Sequence, residues 1–132
     1  MTYVVKTRLD RSPIEGFGVF AAEDIPAGTV VWRFNPVIDR KITAEEADSL
    51  SGAERDFLER YAYMDTKLGV WVLCADNARF CNHADDANTR GDYPADGPEG
   101  GLDIAARDIK AGEEITCDYR AFDAEAAGKF GE

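Results

Sequence analysis

The segment ARFCNHADDAN, residues 78–88, holds the only histidine of the chain, His83. Asn82 precedes it, Arg79 lies four residues back and Asn88 five residues on. Three chemistries could explain so polar a setting: a metal centre, a nucleophile with its base, or a loop that holds a ligand by hydrogen bonds. A transition-metal site needs several imidazole, thiolate or carboxylate ligands in suitable geometry. One histidine with Cys81, Asp85 and Asp86 is a poor set, so no metal is expected. A cysteine–histidine pair would bring Cys74, Cys81 or Cys117 to His83, yet no nucleophile motif surrounds any of them. The hydrogen-bonding loop remains, and it gains from the rest of the chain.

A length of 132 residues, 45% hydrophobic and 31% charged, describes one globular domain spanning 1–132. The net charge of −11 leaves no basic stripe for phosphates, which argues against direct nucleic-acid binding. Such acidity suits a basic protein partner, although it also serves solubility alone. The longest apolar run, Val70–Ala75, is too short to cross a bilayer. The opening MTYVVKTRLD has no hydrophobic signal region. The three cysteines have no CxxC spacing and read as free buried thiols in a reducing compartment. A cytoplasmic protein with no membrane contact is expected.

Along the chain, TYVVKT, GVFAA and TVVWRF read as short strands punctuated by Gly and Pro within residues 1–38. A helical insert follows over 43–63, where Thr43 with Glu46 and Ser51 with Glu54 are two capping boxes. Phe57, Leu58, Tyr61 and Ala62 would share one helical face. Strands resume with GVWVLC and EEITCDY, and TRGDYPADGPEGG (89–101) reads as a long loop. VFAAEDIPAG (19–28) and DIAARDIKAG (103–112) match at six of ten positions, which predicts two similar strand–turn–strand corners.

Two further stretches complete the pattern. RSPIEGFGVF sets Gly16 and Gly18 around Phe17 at a turn into a strand, where paired glycines let a backbone approach a ligand. AGEEITCDYRAF brings Tyr119 to the end of a strand-like run. In this order and spacing, the three stretches resemble the SET-domain family of protein-lysine methyltransferases. Gly16-Phe17-Gly18 stands for its GxG corner, Arg79 to Asn88 for its RFxNHSxxPN segment, and Gly112 to Tyr119 for its GEELxxDY segment. The resemblance runs from about Arg11 to Phe122. It implies a mainly β, β-clip-like SET fold with a small helical insert and a knot-like C-terminal arrangement joining the NH and DY segments.

The resemblance also implies a chemistry. S-adenosylmethionine would be the cofactor, held around Gly16, Phe17, Gly18, Asn82 and His83, with Arg79 and Phe80 supporting the pocket. Tyr119 would be the catalytic group, orienting a lysine amine for an in-line methyl transfer in which alignment carries much of the rate. Phe34, Tyr61, Tyr63, Cys117 and Phe122 are candidates for the substrate channel, each equally readable as core or, for Phe122, as tail. The sequence departs from the family at Ala84 (usually Ser), Ala87 (usually Pro), the Arg33–Pro36 stretch, and Cys117 (often Phe or Tyr). No cysteine-rich zinc modules flank the domain, so a minimal form of the bacterial or viral type is implied. Its substrate groove would be completed by the 121–132 tail, the 89–101 loop, or a second subunit in a homodimer. The substrate would be a lysine-containing basic protein. Two alternatives stay open: an inactive SET-like module that binds a basic peptide, and a methyltransferase acting on a small amine.

Overall fold

The structure, a computed structural model, describes residues 2–65, 69–92 and 102–118. Eleven short strands are present there: β1 (Thr2–Tyr3), β2 (Thr7–Arg11), β3 (Phe17–Ala21), β4 (Val30–Arg33), β5 (Arg40–Ile42), β6 (Ala62–Met64), β7 (Trp71–Leu73), β8 (Asn82–His83), β9 (Thr89–Asp92), β10 (Leu102–Ala105) and β11 (Glu114–Cys117). Two helices, α1 (Ala44–Asp48) and α2 (Gly52–Tyr61), and a 3-10 turn at Asn77–Phe80 complete the set. The strands form three sheets, ordered β1-β4-β10-β9, β2-β3-β11-β8 and β5-β7-β6. The mainly β fold with a small helical insert is thus as expected.

The two echoed decapeptides pack against each other. Ile25 and Ile109 form an antiparallel bridge, exchanging backbone hydrogen bonds of 2.7 and 2.8 Å. Asp24 accepts from the Ala111 N–H at 2.9 Å, and Asp108 accepts from the Ala27 N–H at 2.8 Å, which repeats the same link with the copies exchanged. Gly28 and Gly112 close the two copies at φ +83° and +93°, a conformation that Gly adopts without strain. The repeated sequence therefore encodes a pseudo-two-fold contact between distant parts of the chain. Both isoleucines are fully buried at its centre, each contributing about 1.5–3 kcal/mol by apolar burial.

The main core joins residues of several sheets, among them Val19, Val31, Trp32, Val72 and Ile115. A smaller core of Ala47, Leu58, Ala62 and Trp71 holds the insert. The Arg55 guanidinium lies 5.5 Å over the Trp71 ring and donates to the Ala47 carbonyl at 2.8 Å, joining the two helices.

Three expectations about local structure change. The Thr43–Glu46 capping box is present, but Ser51 makes no side-chain cap hydrogen bond. Gly52, at φ +58°, turns the chain in the left-handed sense directly after Ser51. The helical insert ends at Tyr61, because Ala62, Tyr63 and Met64 pair with β7 as a strand. The expected 89–101 loop begins as β9, whose four residues pair with β10; residues 93–101 lie outside the described residues. Among the described residues no helix is long and apolar enough to cross a membrane.

Candidate cofactor and active site

Asn82 is the centre of the site. Strand β8 runs parallel to β11, with Asn82 opposite Thr116 and His83 opposite Cys117. From there the Asn82 Nδ2 donates to the Glu15 carbonyl at 3.2 Å, the Phe17 carbonyl at 3.1 Å and the Glu114 carboxylate at 2.9 Å. One amide thereby joins the Gly16–Gly18 corner, the NH segment and the strand leading to Tyr119. Ser12 Oγ donates to the same Glu114 carboxylate at 2.7 and 2.9 Å. Gly16 has φ +45°, and a Cβ there would meet nothing within 4 Å. At Gly18 a Cβ would collide with the Glu114 carboxylate. The first glycine is required by backbone conformation and the second by packing.

Behind this corner the loop after His83 is stitched to β11. Asn88 is buried; its Oδ1 accepts from the Thr116 N–H at 2.9 Å and its Nδ2 donates to the Glu114 carbonyl at 2.8 Å. Thr89 Oγ1 donates to the Thr116 carbonyl at 2.7 Å. These side chains satisfy backbone groups that a regular ladder would otherwise pair. Arg107 donates to the carbonyls of Asp86 and Ala87, at 3.2 and 3.3 Å, holding the outside of the loop. His83 lies with Nε2 2.8 Å from Asp85 and Nδ1 3.6 Å from Asp118. Among the described residues no cluster of His, Cys, Asp and Glu could hold a metal ion.

The structure separates the remaining candidates. Arg79 and Phe80 sit on the 3-10 turn, whose start is capped by Asp76 accepting from the Ala78 N–H at 3.0 Å. The Arg79 guanidinium lies 5.1 Å over the Phe80 ring and 5.9 Å over the Tyr61 ring, and Tyr61 meets Phe80 edge-on at 5.8 Å. Tyr61 thus links α2 to the turn preceding Asn82. Phe34 and Tyr63 are buried in the main core, with the Lys41 ammonium 5.2 Å from the Phe34 ring. Phe17 is 52% exposed, and it is its carbonyl that Asn82 uses. Cys117 is buried, as are Cys74 and Cys81, and none of the three is in a disulfide. A side-chain hydrogen bond with Cys81, followed by burial, pushes the Cys117 thiol well up, and burial above all, with Asp39 and Asp76 adding, pushes Cys74 up to about 12. Burial, with the neighbouring Cys81 and Cys117, likewise raises the Tyr3 hydroxyl. Tyr119 and Phe122 lie outside the described residues.

Sequence reasoning did not single out Glu114, Ser12, Thr116 or Asp118. Glu114 lies inside the quoted GEE motif, and two glycines separated by one residue opposite an acidic strand would have been the available signal.

Residues 16–120 match the family described as the SET domain, and the chain belongs to that family. It is 32% identical over 120 residues to the histone-lysine N-methyltransferase EZH2 of Chaetomium thermophilum, covering 84% of this chain and 8% of that protein. It is 30% identical over 112 residues to a histone-lysine N-methyltransferase, H3 lysine-4 specific, of Mycosarcoma maydis, covering 83% of this chain and 8% of that protein. The structure of ctPRC2 in an autoinhibited conformation bound to S-adenosylmethionine superposes with a TM-score of 0.68 at 26% identity, over 96% of this chain and 17% of that one. The chain thus spans less than a tenth of the length of these curated relatives.

Proposed function

We propose that this chain is an S-adenosylmethionine-dependent methyltransferase acting on a lysine side chain of a basic protein. The observation that carries the reading is the Asn82 amide, which draws together the GxG corner, the NH segment and the GEE strand within the region matching the family. The corner suits the cofactor. The backbone at Gly16 is open to a ligand, and the neighbouring carbonyl oxygens of Glu15 and Phe17 offer acceptors to a ligand bearing an ammonium. When bound, S-adenosylmethionine supplies the methyl group as a sulfonium substituent.

The chain's own residues divide the work as follows. Asn82, Ser12 and Glu114 hold the corner in one shape, so that little conformational freedom is lost on binding. Gly16, Phe17 and Gly18 present backbone to the cofactor, beside His83. Arg79, Phe80 and Tyr61 brace the turn from which Asn82 projects. Tyr119, two residues beyond the end of β11, orients the amine at the methyl donor. Cys117, Phe34, Tyr63 and Phe122 remain channel candidates, and a second subunit remains a way to complete the groove.

Calorimetric titration of S-adenosylmethionine and its demethylated product into the wild type and Asn82→Ala tests the pocket. Micromolar binding that the variant weakens at least tenfold supports it, as does labelled methyl transfer to mixed basic proteins that Tyr119→Phe abolishes. A folded protein that binds neither compound removes the cofactor reading. Binding without transfer to proteins, peptides or small amines would favour the module that retained the fold without turnover.

A further inference from the structure

His83 is approached by a carboxylate at each ring nitrogen, and the two contacts differ in kind. Nε2 is 2.8 Å from Asp85 Oδ1, a hydrogen-bond length, whereas Nδ1 is 3.6 Å from Asp118 Oδ1, too long for one. An ionised carboxylate can only accept, so the short contact puts a proton on Nε2. In the neutral ring this leaves the Nδ1 lone pair on the side of Asp118. The imidazole is 17% exposed and Asp85 is 81% exposed, so an outer carboxylate holds a largely enclosed ring. On the inner side the turn is also tied by its backbone, with the Ala84 N–H donating to the Cys117 carbonyl at 3.1 Å. On the paired strand itself the ionisable groups are the Cys117 thiol, opposite His83 in the register, and the Glu114 carboxyl at the other end.

We propose that Asp85 is a positioning residue: by accepting the Nε2–H hydrogen bond it fixes the tautomer and rotation of His83, and thereby the approach of Nδ1 to Asp118, the residue before Tyr119. Its consequence for turnover rests on the methyltransferase reading; its effect on the ring does not. Asp85 is 81% exposed, so its replacement should change stability by no more than about 0.5 kcal/mol, a readout that separates a positioning role from a structural one.

With one histidine in the chain, protein labelled with 15N in that histidine has two ring-nitrogen signals to follow. In the wild type with its ring neutral, they should report the Nε2–H tautomer almost alone. Asp85→Ala should lower the ratio of Nε2–H to Nδ1–H about fivefold, as expected for losing one partly exposed hydrogen bond to a carboxylate. Asp85→Asn, whose amide oxygen still accepts, should restore most of it. Methyl transfer by Asp85→Ala should fall about threefold with an unchanged melting temperature. An unchanged tautomer ratio in Asp85→Ala overturns the proposal, and a changed ratio with an unchanged transfer rate overturns the positioning role. A wild type that transfers no methyl group refutes the methyltransferase reading instead, while the ratio still decides whether Asp85 fixes the ring.

Discussion

Asp103 should make the protein less stable as the pH rises from about 4 to 7. It sits in β10 opposite Trp32 on one side and Gly91 on the other, and burial pushes its carboxyl from the ordinary 3.8 up to about 7. Between those values the native state keeps a proton that the unfolded chain has released, so stability falls with increasing pH and levels off above 7. A displacement of about three pH units, at about 1.36 kcal/mol each, amounts to about 4 kcal/mol. Asp103 is only half-buried as a residue, and solvent screening should reduce this to about 2 kcal/mol. Replacing it by Asn removes the ionisation while keeping the shape. Urea unfolding of wild type and Asp103→Asn at pH 4 and pH 8, which bracket the window, reads the difference. The variant should gain most of this, about 1.5 kcal/mol, relative to wild type between the two conditions. A wild type–variant difference that is the same at both pH values would show instead that the native carboxyl is solvated and titrates as in the unfolded chain.

The other consequences are simpler. Gly18→Ala drives a Cβ into the Glu114 carboxylate, and overpacking of this kind should lower stability by about 1–3 kcal/mol in denaturant titration; Gly16→Ala meets open space but should still lose about 1–2 kcal/mol to the strain of a non-glycine residue at positive φ. Ile25→Ala and Ile109→Ala should each destabilise by about 2–5 kcal/mol, and because the two residues bridge each other the double variant should depart from additivity by about 0.5 kcal/mol or more. Native protein at pH 8 should leave its three buried thiols nearly unreactive to a thiol-titrating disulfide reagent, with all three released in urea; fast reaction of Cys74 in the folded state would contradict a thiol raised to about 12.

What could be read in advance, and what could not, follows from how far each interaction reaches along the chain. The echo of 19–28 in 103–112 was visible as letters, but letters alone say only that two corners are alike. That Asp24 caps the other copy's Ala111, and Asp108 the first copy's Ala27, depends on their meeting across more than eighty residues. Thr43–Glu46 was legible because a capping box is local. Ser51–Glu54 has the same letters but a glycine in the left-handed region beside it, which letters do not reveal. Ala62 and Tyr63 read as helical because the apolar pattern of the 43–63 insert runs on through them; pairing with β7, a tertiary term, decides otherwise. The site shows the same division. Asn82 and His83 stood out by residue type, whereas the role of Asn82 as a clip depends on Glu114, thirty-two residues away, and on carbonyls sixty-five and sixty-seven residues back. A residue's chemistry is local, but the partner that gives the chemistry its direction is set by topology. That is why the NH segment announced a binding loop while the acid that holds its corner went unnoticed inside a strand.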